Sequence, residues 1–137
     1  MRGAVKALLV VAAVALVACG KDSVLGVGGS GSVAGSYTLR TINGENLPFT
    51  VEQIGDDSTE VLSETMVLGD GTFSLSGSIR VTEAGVTTTQ PYANDGTFTQ
   101  NGSAVILTFS SGDRESGTAS GGTLTLVSGG FTWVYRR

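Results

Sequence analysis

Between Ala34 and Arg137 apolar and polar residues alternate one by one, and glycine-bearing turns interrupt the alternation at short intervals. A period of two belongs to the β-strand, where successive side chains leave opposite faces of the sheet. Tyr37 and Leu39 share one face, as do Phe73, Leu75, Ile79 and Val81 with Gly77 among them. Val105, Leu107 and Phe109 form a third set, Leu124 and Leu126 a fourth, and Phe131, Trp133 and Tyr135 a fifth. Residues 59–69 are less regular, because Leu62, Met66 and Leu68 share their parity with Glu64; a turn of helix fits within 59–68. No other segment carries a helical period.

Turn signals stand at Asn43-Gly44, Asp70-Gly71, Glu83-Ala84-Gly85, Asp95-Gly96, Asn101-Gly102, Ser111-Gly112-Asp113, Gly121-Gly122 and Gly129-Gly130. Their spacing predicts roughly eight to ten short strands. A phrase also recurs, as AGSYTL at 34–39, DGTFSL at 70–75 and DGTFTQ at 95–100. The unequal separations point to repeated hairpins of one sheet and not to a solenoid. Strands apolar on one face need a second layer or closure on themselves. Sequential hairpins favour an all-β, antiparallel up-and-down barrel, which also removes exposed edges. Twenty-one glycines among 137 residues agree with tight turns, since glycine is costly inside helices.

The first twenty residues are of another kind. Arg2 and Lys6 precede an unbroken apolar run from Ala7 to Ala18. The run is short of the roughly 20 residues that span a bilayer, yet it suits the core of a secretory signal. It ends in Leu16-Val17-Ala18-Cys19, which resembles a bacterial lipobox. The resemblance implies diacylglycerol on the Cys19 sulfur, cleavage between Ala18 and Cys19, and an acyl chain on the new amino group. Ala18 and Gly20 also satisfy the small-residue rule for an ordinary signal cut after Gly20, which would discard Cys19. The expected organisation is a signal helix over 1–18, lipidated Cys19 with a Gly/Ser-rich tether over 19–33, and a β domain over 34–137. The fourteen residues after Cys19 reach roughly 20 Å as a flexible coil.

From Gly35-Ser36-Tyr37-Thr38-Leu39 with Ile42-Asn43-Gly44, through the Gly-Thr-Phe turns, to Phe131-Thr132-Trp133-Val134-Tyr135-Arg136, the domain resembles the small lipocalin-like domains of bacterial envelope lipoproteins. Lipocalins open their first strand on Gly-x-Trp and cover that Trp with an Arg from the last strand. Here Tyr37 stands at the Trp position, and Arg136 is either the matching cation or a solvated tail charge. The resemblance implies an exported protein, lipid-anchored to the cell membrane or outer membrane, with its barrel outside the cytoplasm.

Composition narrows the chemistry. Without His, neither a Ser-His-Asp triad nor a His-ligated metal is available. Lipid on Cys19 removes thiol catalysis, and no internal disulfide forms from one Cys. Removing Arg2 and Lys6 with the signal takes eight Lys+Arg to six against twelve Asp+Glu, a charge of −6. Such a surface opposes nucleic acid, whose phosphates need cations. Asp56, Asp57, Glu60 and Glu64 form an acidic cluster that admits acid/base work or calcium ligation, but it lacks the spacing and central Gly of a calcium loop. We expect no enzyme, no metal, and no cofactor beyond the lipid on Cys19. The better candidates are Tyr37, Phe73, Phe98, Phe109, Phe131, Trp133 and Tyr135, which share inward parities and suit a small apolar ligand. An eight-stranded barrel is equally suited to being filled by its own side chains, leaving a structural role or another envelope protein as partner.

Replacing Cys19 by Ser is expected to abolish palmitate labelling and to move the chain out of the detergent phase on partitioning; unchanged labelling and partitioning would remove the lipid anchor.

Overall fold

The computed structural model describes residues 32–137, so the expected signal segment, Ala18, Cys19 and nearly all of the expected tether lie outside the described residues. Ten strands follow one another with no helix between them: β1 (Gly35–Ile42), β2 (Glu45–Asn46), β3 (Phe49–Ile54), β4 (Asp57–Gly69), β5 (Thr72–Glu83), β6 (Val86–Asn101), β7 (Ala104–Phe109), β8 (Arg114–Ser120), β9 (Thr123–Ser128) and β10 (Phe131–Arg136). From β4 to β10 each strand pairs antiparallel with the next. β1 then pairs with β10 on one side and with β4 on the other. Eight strands close into an up-and-down antiparallel barrel, and β2 and β3 lie outside the ring as extra partners of β1 and β4.

The alternation read from the sequence is the inside–outside alternation of this barrel. Tyr37, Leu39, Phe73, Leu75, Val105, Leu107, Leu124, Leu126 and Tyr135 are all buried. β4 explains its own irregular pattern through a bulge. Val61 pairs with Ile79 and Ser63 with Ser78, so Leu62 is an extra residue that reverses the parity. Val61 before the bulge and Glu64, Met66 and Leu68 after it are therefore all buried. No helical turn forms there.

Most predicted turns form. Asn43, Asp70 and Ala84 adopt positive φ beside Gly44, Gly71 and Gly85. Asp95-Gly96 does not turn, although it repeats the dipeptide of the Asp70-Gly71 hairpin. β6 runs straight through it, and Gly96 pairs with Phe73 on one side and Phe109 on the other. A Cβ on Gly96 would lie 2.0 Å from the Thr108 carbonyl oxygen and 2.8 Å from the Phe73 ring. Glycine is needed there for close approach, not for chain reversal. Conversely, the turn between β3 and β4 uses Gly55 at φ 61°, a position without a recognised turn pair.

The barrel end formed by the start of β1 and the end of β10 is closed. Val33 is buried within the core although it falls in the predicted tether, and its carbonyl accepts the Tyr37 hydroxyl at 2.8 Å. The Arg137 guanidinium lies 5.3 Å from the Tyr37 ring centre and donates to the Ala34 carbonyl at 3.0 Å. Of the two readings of Arg136 the solvated charge holds: the side chain is exposed, because Tyr135 points inward and its neighbour must point outward. The residue one place on carries the charge over Tyr37.

Interior volume is set by glycine as much as by large residues. A Cβ on Gly117 would stand 1.8 Å from the Thr125 carbonyl oxygen of the adjacent strand. Gly117→Ala is therefore expected to cost about 1–3 kcal/mol in urea unfolding, whereas Ala93→Ser on exposed β6 stays within about 0.5 kcal/mol.

Candidate functional site at the open end of the barrel

At the end opposite Tyr37 and Arg137, side chains do not fill the interior. A cavity of about 100 Å³ remains. Its apolar wall consists of Leu75, Phe109 and Trp133, and its polar wall of Glu64, Tyr92, Asn94, Glu115 and Tyr135.

Glu64 lies at the centre of this polar wall and only 6% of it is exposed. Strand register explains how a carboxyl is held there. Glu64 on β4 pairs with Gly77 on β5, and Gly77 pairs with Tyr92 on β6. A Cβ on Gly77 would stand 2.7 Å from both the ring and the hydroxyl of Tyr92. The missing side chain lets Tyr92 lean across β5, and its hydroxyl donates to Glu64 Oε2 at 2.5 Å. From the other side Tyr135 donates its hydroxyl to Glu64 Oε1. Each carboxyl oxygen thus accepts one phenolic proton and retains a further lone pair.

Glu115 on β8 is the second carboxyl of the cavity. It accepts the Ser128 hydroxyl at 2.6 Å. Among the described residues no buried side-chain nitrogen or oxygen lacks a hydrogen-bond partner.

Burial raises the Glu64 carboxyl above the usual range, and the charge of Glu115 adds to the rise; the Tyr135 and Tyr92 hydroxyls oppose it. Burial likewise raises Glu115, helped by Asp113 and opposed by Ser128. Tyr92 and Tyr135 are pushed upward, first by burial and then by the Glu64 carboxylate, so both remain neutral donors.

The seven predicted aromatic residues separate into two groups. Phe109, Trp133 and Tyr135 line the cavity. Tyr37 and Phe73 are buried in the core, and Phe98 and Phe131 pack partly buried against it. Phe73 meets Phe109 edge-on at 5.0 Å between ring centres, and Phe131 meets both Phe49 at 5.7 Å and Trp133 at 6.4 Å.

The acidic cluster of the sequence comes apart. Glu60 forms an ion pair with Arg80 across β4 and β5, at 2.7 Å and 3.0 Å, which lowers its pKa. Asp57 accepts the Ala84 backbone N–H at 2.9 Å, and Asp56 is exposed in a turn. Only Glu64 enters the barrel. Among the described residues, no three acidic, His or Cys side chains are grouped to hold a metal ion.

Tyr92, Asn94 and Glu115 carried no sequence signal, each standing in a polar stretch. Glu64 did carry one, since its parity matches Met66 and Leu68. No family model, curated protein or solved structure matches the chain.

A raised carboxyl pKa favours the folded state when protonated. In the interval between the unfolded and folded values the folded chain binds the extra proton, so stability falls as pH rises through it. Glu60, shifted downward, acts oppositely and loses its contribution only in stronger acid. On acidification from neutral pH toward the unfolded glutamate value of about 4.3, the urea midpoint is expected to rise in the wild type. Glu64→Gln combined with Glu115→Gln should flatten that rise; an unchanged slope would detach it from this cavity.

Proposed function

We propose that the chain is an exported envelope lipoprotein, held to a membrane by lipid on Cys19, whose barrel binds a small apolar molecule at its open end. The lipobox-like residues Leu16-Val17-Ala18-Cys19 support the anchor, and two or more acyl chains suffice for stable attachment. A cation over the ring of Tyr37 at the closed end adds to the lipocalin-like resemblance.

The observation that carries the binding reading is the cavity between Leu75, Phe109 and Trp133 at one end of an otherwise filled barrel. Ordinary ligand pockets measure roughly 300–1,000 Å³, so about 100 Å³ admits a very small molecule or one end of a longer one. The rings supply apolar contact, and the tyrosine hydroxyls and Asn94 fix orientation. No step of this reading requires catalysis.

A second reading, a protein-interaction lipoprotein, is favoured by exposed apolar residues beyond the ring. β4 pairs with β1 only over Thr65–Leu68, and β6 pairs with β7 only over Gly96–Asn101. Ile54 and Val86, next to the turns at the far ends of β3 and β6, are 68% and 63% exposed.

Trp133, the sole tryptophan, reports on the cavity directly. Titration with short neutral apolar probes is expected to shift its emission, with the bound mass visible by native mass spectrometry. Silence in both measurements would end the binding reading in favour of the interaction role.

A further inference from the structure

We propose that the cavity is built for an organic cation, a primary alkylammonium held between Glu64 and Glu115 with its carbon chain against Trp133 and Phe109. This rests on the reading of the barrel end as a binding site and narrows its guest from a neutral apolar molecule to an apolar chain with a cationic head.

The first ground is the pairing of chemistries in one small space. Two carboxyls from different strands, β4 and β8, face a cavity whose other wall is aromatic. An apolar guest needs no carboxyl, and an anion would be repelled by both. A cation is attracted to carboxylates and to the faces of Trp and Tyr rings.

The second ground is how much local design holds Glu64 in place. The glycine at position 77, the Tyr92 ring lying across it and the Tyr135 hydroxyl together position a carboxyl 6% exposed inside a barrel lined mainly by Leu, Val, Met and aromatic residues. The two phenols occupy one lone pair on each oxygen, leaving acceptor capacity for an ammonium, which has three N–H donors.

A metal ion is the rival cation. Hard divalent ions take six to eight oxygen ligands, whereas among the described residues no third carboxyl accompanies Glu64 and Glu115 in the cavity. Size agrees with an ammonium. A water occupies about 30 Å³ in the liquid, so the cavity holds an ammonium and two or three carbons, with the rest of a chain passing outward along Trp133.

The groups facing Glu64 are Tyr92, Tyr135 and Glu115, and those facing Glu115 are Ser128 and Asp113. Among the described residues no cationic side chain lines the cavity, so the ligand would supply the positive charge there. A cation between the carboxyls favours their ionised forms, so binding should release protons and weaken on acidification.

The test uses the full chain purified in nonionic detergent and titrated with n-butylamine, n-butanol and butyrate, which are short enough to stay largely in water. Trp133 emission and ligand-observed NMR are the readouts. The amine is expected to bind, with butanol and butyrate weaker by about tenfold or more, the usual scale for a charged hydrogen bond. Glu115→Gln, at the more exposed carboxyl, and Glu64→Gln should each weaken the amine about tenfold without weakening butanol. If butanol binds as well as the amine in the wild type, the site takes apolar guests and the ammonium inference fails alone. If none of the three binds, the binding reading fails with it. Amine binding unchanged in both variants, or displacement of the amine by micromolar calcium, would overturn the assignment of Glu64 and Glu115 to an ammonium.

Discussion

β1 is the strand on which the whole barrel depends, because it alone hydrogen-bonds to both ends of the meander that runs from β4 to β10. Without it, β4 and β10 would present open edges and the inward residues would face water. With it, one continuous ring of antiparallel pairs encloses Tyr37, Leu39, Met66, Leu107, Leu124 and Leu126. Closure is reinforced where β1 begins, through the Tyr37 hydroxyl on Val33 and the Arg137 side chain on Ala34. A segment that reads as tether in its composition thus ends as a plug in the core. Val33 stays with the barrel because burying its side chain outweighs the cost of ordering a flexible strand entry.

Closing eight strands leaves an interior of limited width, and large and small residues share it unevenly. Gly96 and Gly117 bring neighbouring backbones and rings together where a Cβ would collide, and aromatic and aliphatic side chains fill what remains. A Cβ on Gly77 would likewise meet a backbone oxygen, that of Ser63 at 2.3 Å, and its absence has a further consequence. The ring of Tyr92 takes the place of its side chain, and the phenol crosses a full strand to reach Glu64. Three neighbouring strand positions are thereby linked by one side-chain hydrogen bond, from Tyr92 on β6 to Glu64 on β4.

Much of the barrel was legible in the sequence, because a period of two has one physical meaning and turn dipeptides have few. The inward residues of β5, β7, β9 and β10 follow directly from parity. What parity alone does not reveal is where it breaks. The bulge at Leu62 arises from the pairing between β4 and β5, a relation between residues far apart in sequence. Asp95-Gly96 shows the same limit. It has the local chemistry of a hairpin, yet Phe73 and Phe109 on flanking strands need a flat residue between them, and the tertiary demand wins. The substitution of Arg137 for Arg136 over Tyr37 was derivable from alternation, since only odd-numbered residues of β10 face inward.

The site was less legible for a related reason. Three of the seven aromatic candidates reach the cavity, and the others are core, because inward parity tells which side of a strand a ring occupies and not its height along the barrel. Height depends on strand tilt, which no periodicity encodes. Glu64 was visible as an acidic residue in phase with apolar Met66 and Leu68, but counted by proximity it joined Asp56, Asp57 and Glu60, from which the fold removes it. Its energetics set it further apart. An apolar residue of similar volume at such a position commonly leaves a fold as stable or more so, so core packing alone does not call for a carboxyl there. The two phenols reduce its desolvation cost without cancelling its charge, and Glu115 adds to that charge from β8. A positive ligand is the partner that relieves the burial of both carboxyls at once.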